Sequence, residues 1–98
     1  MSTKGDIVAE QAFRYDASKV RENGRPAQSD DHVAVAEVLR HFDELPPMEH
    51  ASMVSGFIVY CSQSPLNHRS IMIATTGGRT IGHVAFNETD GFTYINWQ

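Results

Sequence analysis

The chain has 98 residues, 41% of them apolar and 20% charged, with a formal net charge of −4. That is the usual size of one compact domain with a modest core, so a single domain over residues 1–98 is expected. The eight basic residues form no sustained run, which argues against a surface that tracks nucleic-acid phosphates, and no stretch reaches the roughly 20 apolar residues of a membrane-crossing helix.

Cys61 is the only cysteine, which excludes an internal disulfide and a thiolate zinc cluster. The first residues lack the apolar centre of a signal peptide, so a cytoplasmic protein is expected.

In chain order, residues 1–5 read as a disordered tail. Residues 6–15 are ambiguous between strand and helix, with strand favoured because Ile7, Ala9, Phe13 and Tyr15 alternate. Residues 16–22 suit a short helical turn ending at Asn23-Gly24, unless that dipeptide is a hairpin tip. Pro26 rules out a regular central strand after it, so residues 25–29 read as a connection.

The clearest element of the first half is a helix over about residues 30–45. Ser29 or Asp30 suits its N-cap, Asp30 and Asp31 put negative charge at its positive end, and Pro46-Pro47 stops it. Val35, Val38, Leu39, Phe42 and Leu45 share one stripe at helical spacing. Glu37, Arg40, His41 and Glu44 lie opposite, with Val33 and Asp43 at the edges. Residues 30–49 hold six acids and one base, so nearly all the net acidity belongs to this segment.

Residues 54–61 form a run of β-branched and aromatic residues, read as one strand inside a sheet, with Gly56 marking a bulge or a close backbone approach. Residues 62–69 form a loop longer than a tight hairpin needs. Residues 70–97 then read as a three-stranded meander, because Gly77-Gly78 and Asp90-Gly91 are both two-residue hairpin dipeptides flanked by apolar runs.

Those two turns set a register. Directly opposed residues share a face, so Ile71, Ile73, Val84, Phe86, Ile95 and Trp97 fall on one side. Met72, Ala74, Ile81, His83, Ala85, Asn87, Phe92, Tyr94 and Asn96 fall on the other. The first face is the natural seat for the helix stripe. The expected fold is therefore α+β: a mainly antiparallel sheet of four to five strands with a C-terminal meander, one face covered by a single main helix.

Residue chemistry points away from catalysis. The five histidines, His32, His41, His50, His68 and His83, form no HExxH pattern, and no glycine-rich phosphate loop or nucleophile elbow is present. Pairing Cys61 with His68 or His83 as a nucleophilic site is the weaker reading, since a cysteine closing an apolar strand packs as a small hydrophobe. No metal, cofactor or catalytic residue is expected.

Two surfaces remain. One is the acidic helix segment, with Asp31, Glu37, Asp43 and Glu44. The other is the open sheet face, with Met72, Ile81, His83, Phe92 and Tyr94, which is more apolar than a solvated face. Its expected cover is a protein partner, a second copy of the chain in a homodimer, or the N-terminal segment through Phe13 and Tyr15. The function expected is that of a non-enzymatic acidic protein that docks on a partner with a basic surface and does not contact nucleic acid directly. In composition it is like the small phage-made inhibitors of bacterial defence nucleases, anti-CRISPR proteins among them. The alternative is a small-molecule-binding or modestly catalytic domain with a pocket on the open face, lined by His83, Tyr94, Asn96 and Met72.

Overall fold

The computed structural model describes residues 17–63, 69–87 and 89–98. The expectations for residues 1–16, including the strand over 6–15 and its role as a cover, lie outside them. A short 3-10 turn, Ala17–Lys19, leads into strand β1, Val20–Gly24. Helix α1, Ser29–Arg40, follows, and then a second 3-10 turn, Phe42–Glu44. Five strands complete the chain: β2, His50–Val54; β3, Phe57–Gln63; β4, Arg69–Ala74; β5, Thr80–Asn87; and β6, Phe92–Trp97.

The fold is α+β, with one helix on one six-stranded sheet of order β1-β6-β5-β4-β3-β2. Neighbouring strands are antiparallel except β1 and β6, which run parallel. Because β1 and β2 occupy opposite edges, the connection between them spans the whole sheet. The helix makes that crossing and so lies over the sheet face. Val35, Val38 and Leu39, with Ala34, pack on Val59, Cys61, Ile71, Ile73, Val84, Ile95 and Trp97, all buried. Full burial of such side chains contributes roughly 1.5–3 kcal/mol each before chain entropy is counted. Leu45 is half-buried against the same cluster.

The sheet has six strands rather than four to five, for two reasons. Residues 54–61 are not one strand: Ser55 and Gly56 both take positive φ, 52° and 86°, and form a two-residue hairpin between Val54 and Phe57. That is the geometry of a primed turn, whose twist matches the flanking strands. The second addition is β1. Its last residue, Gly24 (φ 92°), sits so close to β6 that a Cβ there would lie 2.1 Å from the Trp97 carbonyl oxygen. A side chain is excluded at that position.

Both meander turns are longer than two residues. At the first, Gly78 donates its N–H to the Thr75 carbonyl at 3.0 Å, and Thr75 donates to the Arg79 carbonyl at 2.9 Å. Thr76, Gly77 and Gly78 thus make a three-residue loop. The extra residue is absorbed by a bulge: Ala74 pairs with Thr80, yet Ile73 still pairs with Gly82 and Ile71 with Val84. The odd residue is Ile81, which turns into the core and is only 2% exposed. Its expected place on the open face is therefore incorrect.

At the second turn, Gly91 donates to the Asn87 carbonyl at 2.8 Å and β6 slides two residues, pairing Val84 with Ile95 and Gly82 with Trp97. A shift of two keeps every side chain on its face. Ile95 and Trp97 are buried accordingly, while Phe86 is half-buried.

The helix begins one residue early and ends sooner than expected. Gln28 is its N-cap, and the Asp31 carboxylate accepts the Gln28 backbone N–H at 2.8 Å. The α-helical ladder stops at Arg40, and residues 42–44 tighten into the 3-10 turn before Pro46.

Candidate functional site: the outer face of the sheet

The face turned away from the helix follows from the strand pairing. Across β2 to β6 it carries Ala51, Met53, Ile58, Tyr60, Ser62, Ser70, Met72, Ala74, Thr80, His83, Ala85, Asn87, Phe92, Tyr94 and Asn96. No Lys, Arg, Asp or Glu occurs among them. An antiparallel sheet face that only meets water normally alternates to charged or Thr-rich positions. Here Met72, Phe92 and Tyr94 are half-buried in a layer with Tyr60 and Ile58, whereas Met53 is 53% exposed.

Charge lies at the ends of this face. The Tyr60 hydroxyl donates to Glu49 at 2.7 Å, and the Tyr94 hydroxyl donates to Asp90. Each carboxylate hydrogen bond holds the phenolic proton more firmly, so both tyrosine pKa values rise. Asp90 shifts downward, through that bond and through the Phe92 backbone N–H, which it accepts at 2.9 Å. Arg21 of β1 lies over the Phe92 ring, 4.3 Å from its centroid. The face is thus a neutral aromatic and thioether centre flanked by the Glu49 and Asp90 carboxylates, with the Arg21 guanidinium over Phe92 at the β1 side.

Of the expected site residues, Met72, His83, Phe92 and Tyr94 are brought together here. His83 is exposed, on adjacent strands between Met72 and Asn96. The helix-segment residues do not form one patch. Asp31 is 4% exposed and engaged by Arg25 through two hydrogen bonds of 2.7 and 2.9 Å, so it belongs to the fold's interior and not to an open acidic surface. Glu37 is occupied by Arg40. His41 Nδ1 donates to the Glu37 carbonyl at 2.9 Å. Asp43 and Glu44 are exposed.

Sequence reasoning missed a cluster where β1 meets the helix. Trp97 Nε1 donates to Glu22 at 2.8 Å, and His32 Nε2 lies 3.2 Å from the same oxygen. The His32 ring stands edge-on to the indole, with centroids 5.1 Å apart. Glu22, Arg25, His32 and Trp97 line an open cleft of about 370 Å³; a second, of about 420 Å³, is bounded by Gln28, Asp30, Asp31 and Arg79. Only parallel pairing of β1 with β6 brings these residues together, and nothing local in the sequence signals it.

Among the described residues no group of three or more His, Cys, Asp or Glu side chains is gathered for a metal ion. Cys61 is fully buried in the core. No described helix is long and apolar enough to cross a membrane. Comparison with protein-family models, curated proteins and solved structures gave no match.

Proposed function

We propose that this is a non-enzymatic interaction protein that docks on a protein partner through the outer face of its sheet. The observation that carries this reading is the absence of any Lys, Arg, Asp or Glu side chain at the fifteen outer positions of β2 to β6. Depletion of charge with enrichment of Tyr, Phe and Met is the composition of the centre of a protein interface. Glu49 and Asp90 beside the neutral centre favour basic groups at the partner's rim, and Arg21 over Phe92 favours an acidic one. The helix contributes less than its sequence suggests, because Arg25 and Arg40 offset two of the segment's acids.

The test compares two charge variants as baits in the native host. Met72→Lys places an ammonium in the neutral centre, while the triple variant Glu37→Lys, Asp43→Lys, Glu44→Lys reverses the helix surface. Loss of the retained partner with Met72→Lys, and its retention by the triple variant, is expected, with circular dichroism confirming that both fold. Retention by Met72→Lys together with loss on helix reversal would move the site to the helix.

A further inference from the structure

We propose that the free edge of β2 is a self-association site, at which two copies of the chain pair β2 to β2 antiparallel about Ser52. The hairpin geometry fixes which backbone groups of β2 point outward. A two-residue hairpin makes its flanking residues, Val54 and Phe57, a hydrogen-bonded pair, and the alternation of an antiparallel ladder makes Ser52 and Val59 the next. Ala51 and Met53, opposite Tyr60 and Ile58, therefore turn their N–H and C=O groups away from β3. Nothing pairs with that edge among the described residues.

Two-fold symmetry then supplies matching partners. With Ser52 opposite the second copy's Ser52, Ala51 faces the second copy's Met53, and the two such pairs exchange four backbone hydrogen bonds. His50 falls opposite Val54. The strand HASMV contains no Lys, Arg, Asp, Glu or Pro, the residues that normally protect an edge. Three described large hydrophobic residues are exposed, Val33, Met48 and Met53, and two of them lie in or beside β2. Met53, on the outer face, would be covered by the second copy.

The opposite edge of the sheet shows the contrast. β1 has the sequence VRENG, and the same symmetric pairing there would set two Glu22 carboxylates directly against each other. Charge permits self-pairing at β2 and opposes it at β1. Pairing at β2 extends the sheet and covers only Met53 of its outer face, so Met72, Phe92 and Tyr94 stay open to a partner in the dimer.

The test is the oligomeric state of the full chain by sedimentation equilibrium over a concentration series. The wild type is expected to approach twice the monomer mass. Met53→Pro removes an outward N–H and leaves the β2–β3 ladder intact, so it should give a monomer with an unchanged circular dichroism spectrum. Met53→Lys should do the same without any change of backbone. As a positive probe, Ser52→Cys sits at a non-hydrogen-bonded pair, where the close Cα spacing admits a disulfide, and should cross-link under mild oxidation while Thr76→Cys does not. A wild type that stays monomeric throughout, a dimer that survives both Met53 variants, or equal cross-linking at residues 52 and 76 would each overturn the proposal.

Discussion

Arg25 and Asp31 meet fork to fork, with two guanidinium nitrogens on two carboxylate oxygens at 2.7 and 2.9 Å, and this ion pair ties the exit of β1 to the first turn of α1. Arg25 also donates to the carbonyls of Ile81 and Gln98, so the same guanidinium reaches β5 and the end of β6. One side chain thus links the helix start to three strands.

Stability should therefore depend on Asp31 in a pH-specific way. The hydrogen bonds from Arg25 hold its pKa at about 2 against an ordinary 3.8, although burial acts in the opposite direction. A carboxylate depressed in the folded state is protonated first in the unfolded chain. Its contribution is complete above about pH 5 and is lost as pH falls through about 4 towards 2. Asp31→Asn should lower unfolding free energy by about 2–4 kcal/mol at neutral pH. Urea titrations across that window should show a flatter acid dependence for the variant than for the wild type.

The hairpin between β2 and β3 carries correctable strain. Ser55 at φ 52° occupies the left-handed region, which Asn tolerates better. Ser55→Asn should raise stability by about 0.5–1 kcal/mol, read as a higher urea midpoint with an unchanged slope. Glu49, at φ 64°, is strained in the same sense, but its carboxylate accepts the Tyr60 hydroxyl. Glu49→Gly should accordingly stabilise more in a Tyr60→Phe background, where that bond is already gone, than in the wild type.

Removing the indole's acceptor should be costly. Trp97 is 2% exposed and its Nε1 donates to Glu22. Glu22→Ala leaves that donor without its carboxylate, at a cost of about 1–3 kcal/mol. Glu22→Gln keeps an acceptor oxygen and should lose less. Trp97 is the only tryptophan, so fluorescence-detected urea unfolding reports on this site directly.

The core face was legible in the sequence despite two misjudged turns, and the reason is parity. The second turn is longer than expected, yet the shift of β6 by two residues leaves Val84, Ile95 and Trp97 on the buried side. The first turn is off by one, which would have reversed a strand, but the bulge at Ile81 restores the alternation. Ile81 itself was therefore the one apolar residue of the meander assigned to the wrong side. The Ser55-Gly56 turn escaped notice because apolar residues flank it without a break. The pairing of β1 with β6, and with it the burial of Asp31 by Arg25, depends on residues far apart in the chain and has no periodic signature. The outer face was legible as an anomaly for the reason that its positions alternate with the core's.

The parallel pairing of β1 with β6 also has a kinetic consequence. Glu22 and Trp97 are separated by 75 residues, so among the described strands the first has no sheet partner until the last has been synthesised. Loop closure on that scale is slow compared with hairpin formation. The β2 to β6 meander, built of sequence-adjacent strands, can assemble early, while β1 and the Arg25 anchor wait. Until β1 docks, the folding chain exposes the β6 edge that β1 later covers, and that interval is when its aggregation hazard is greatest.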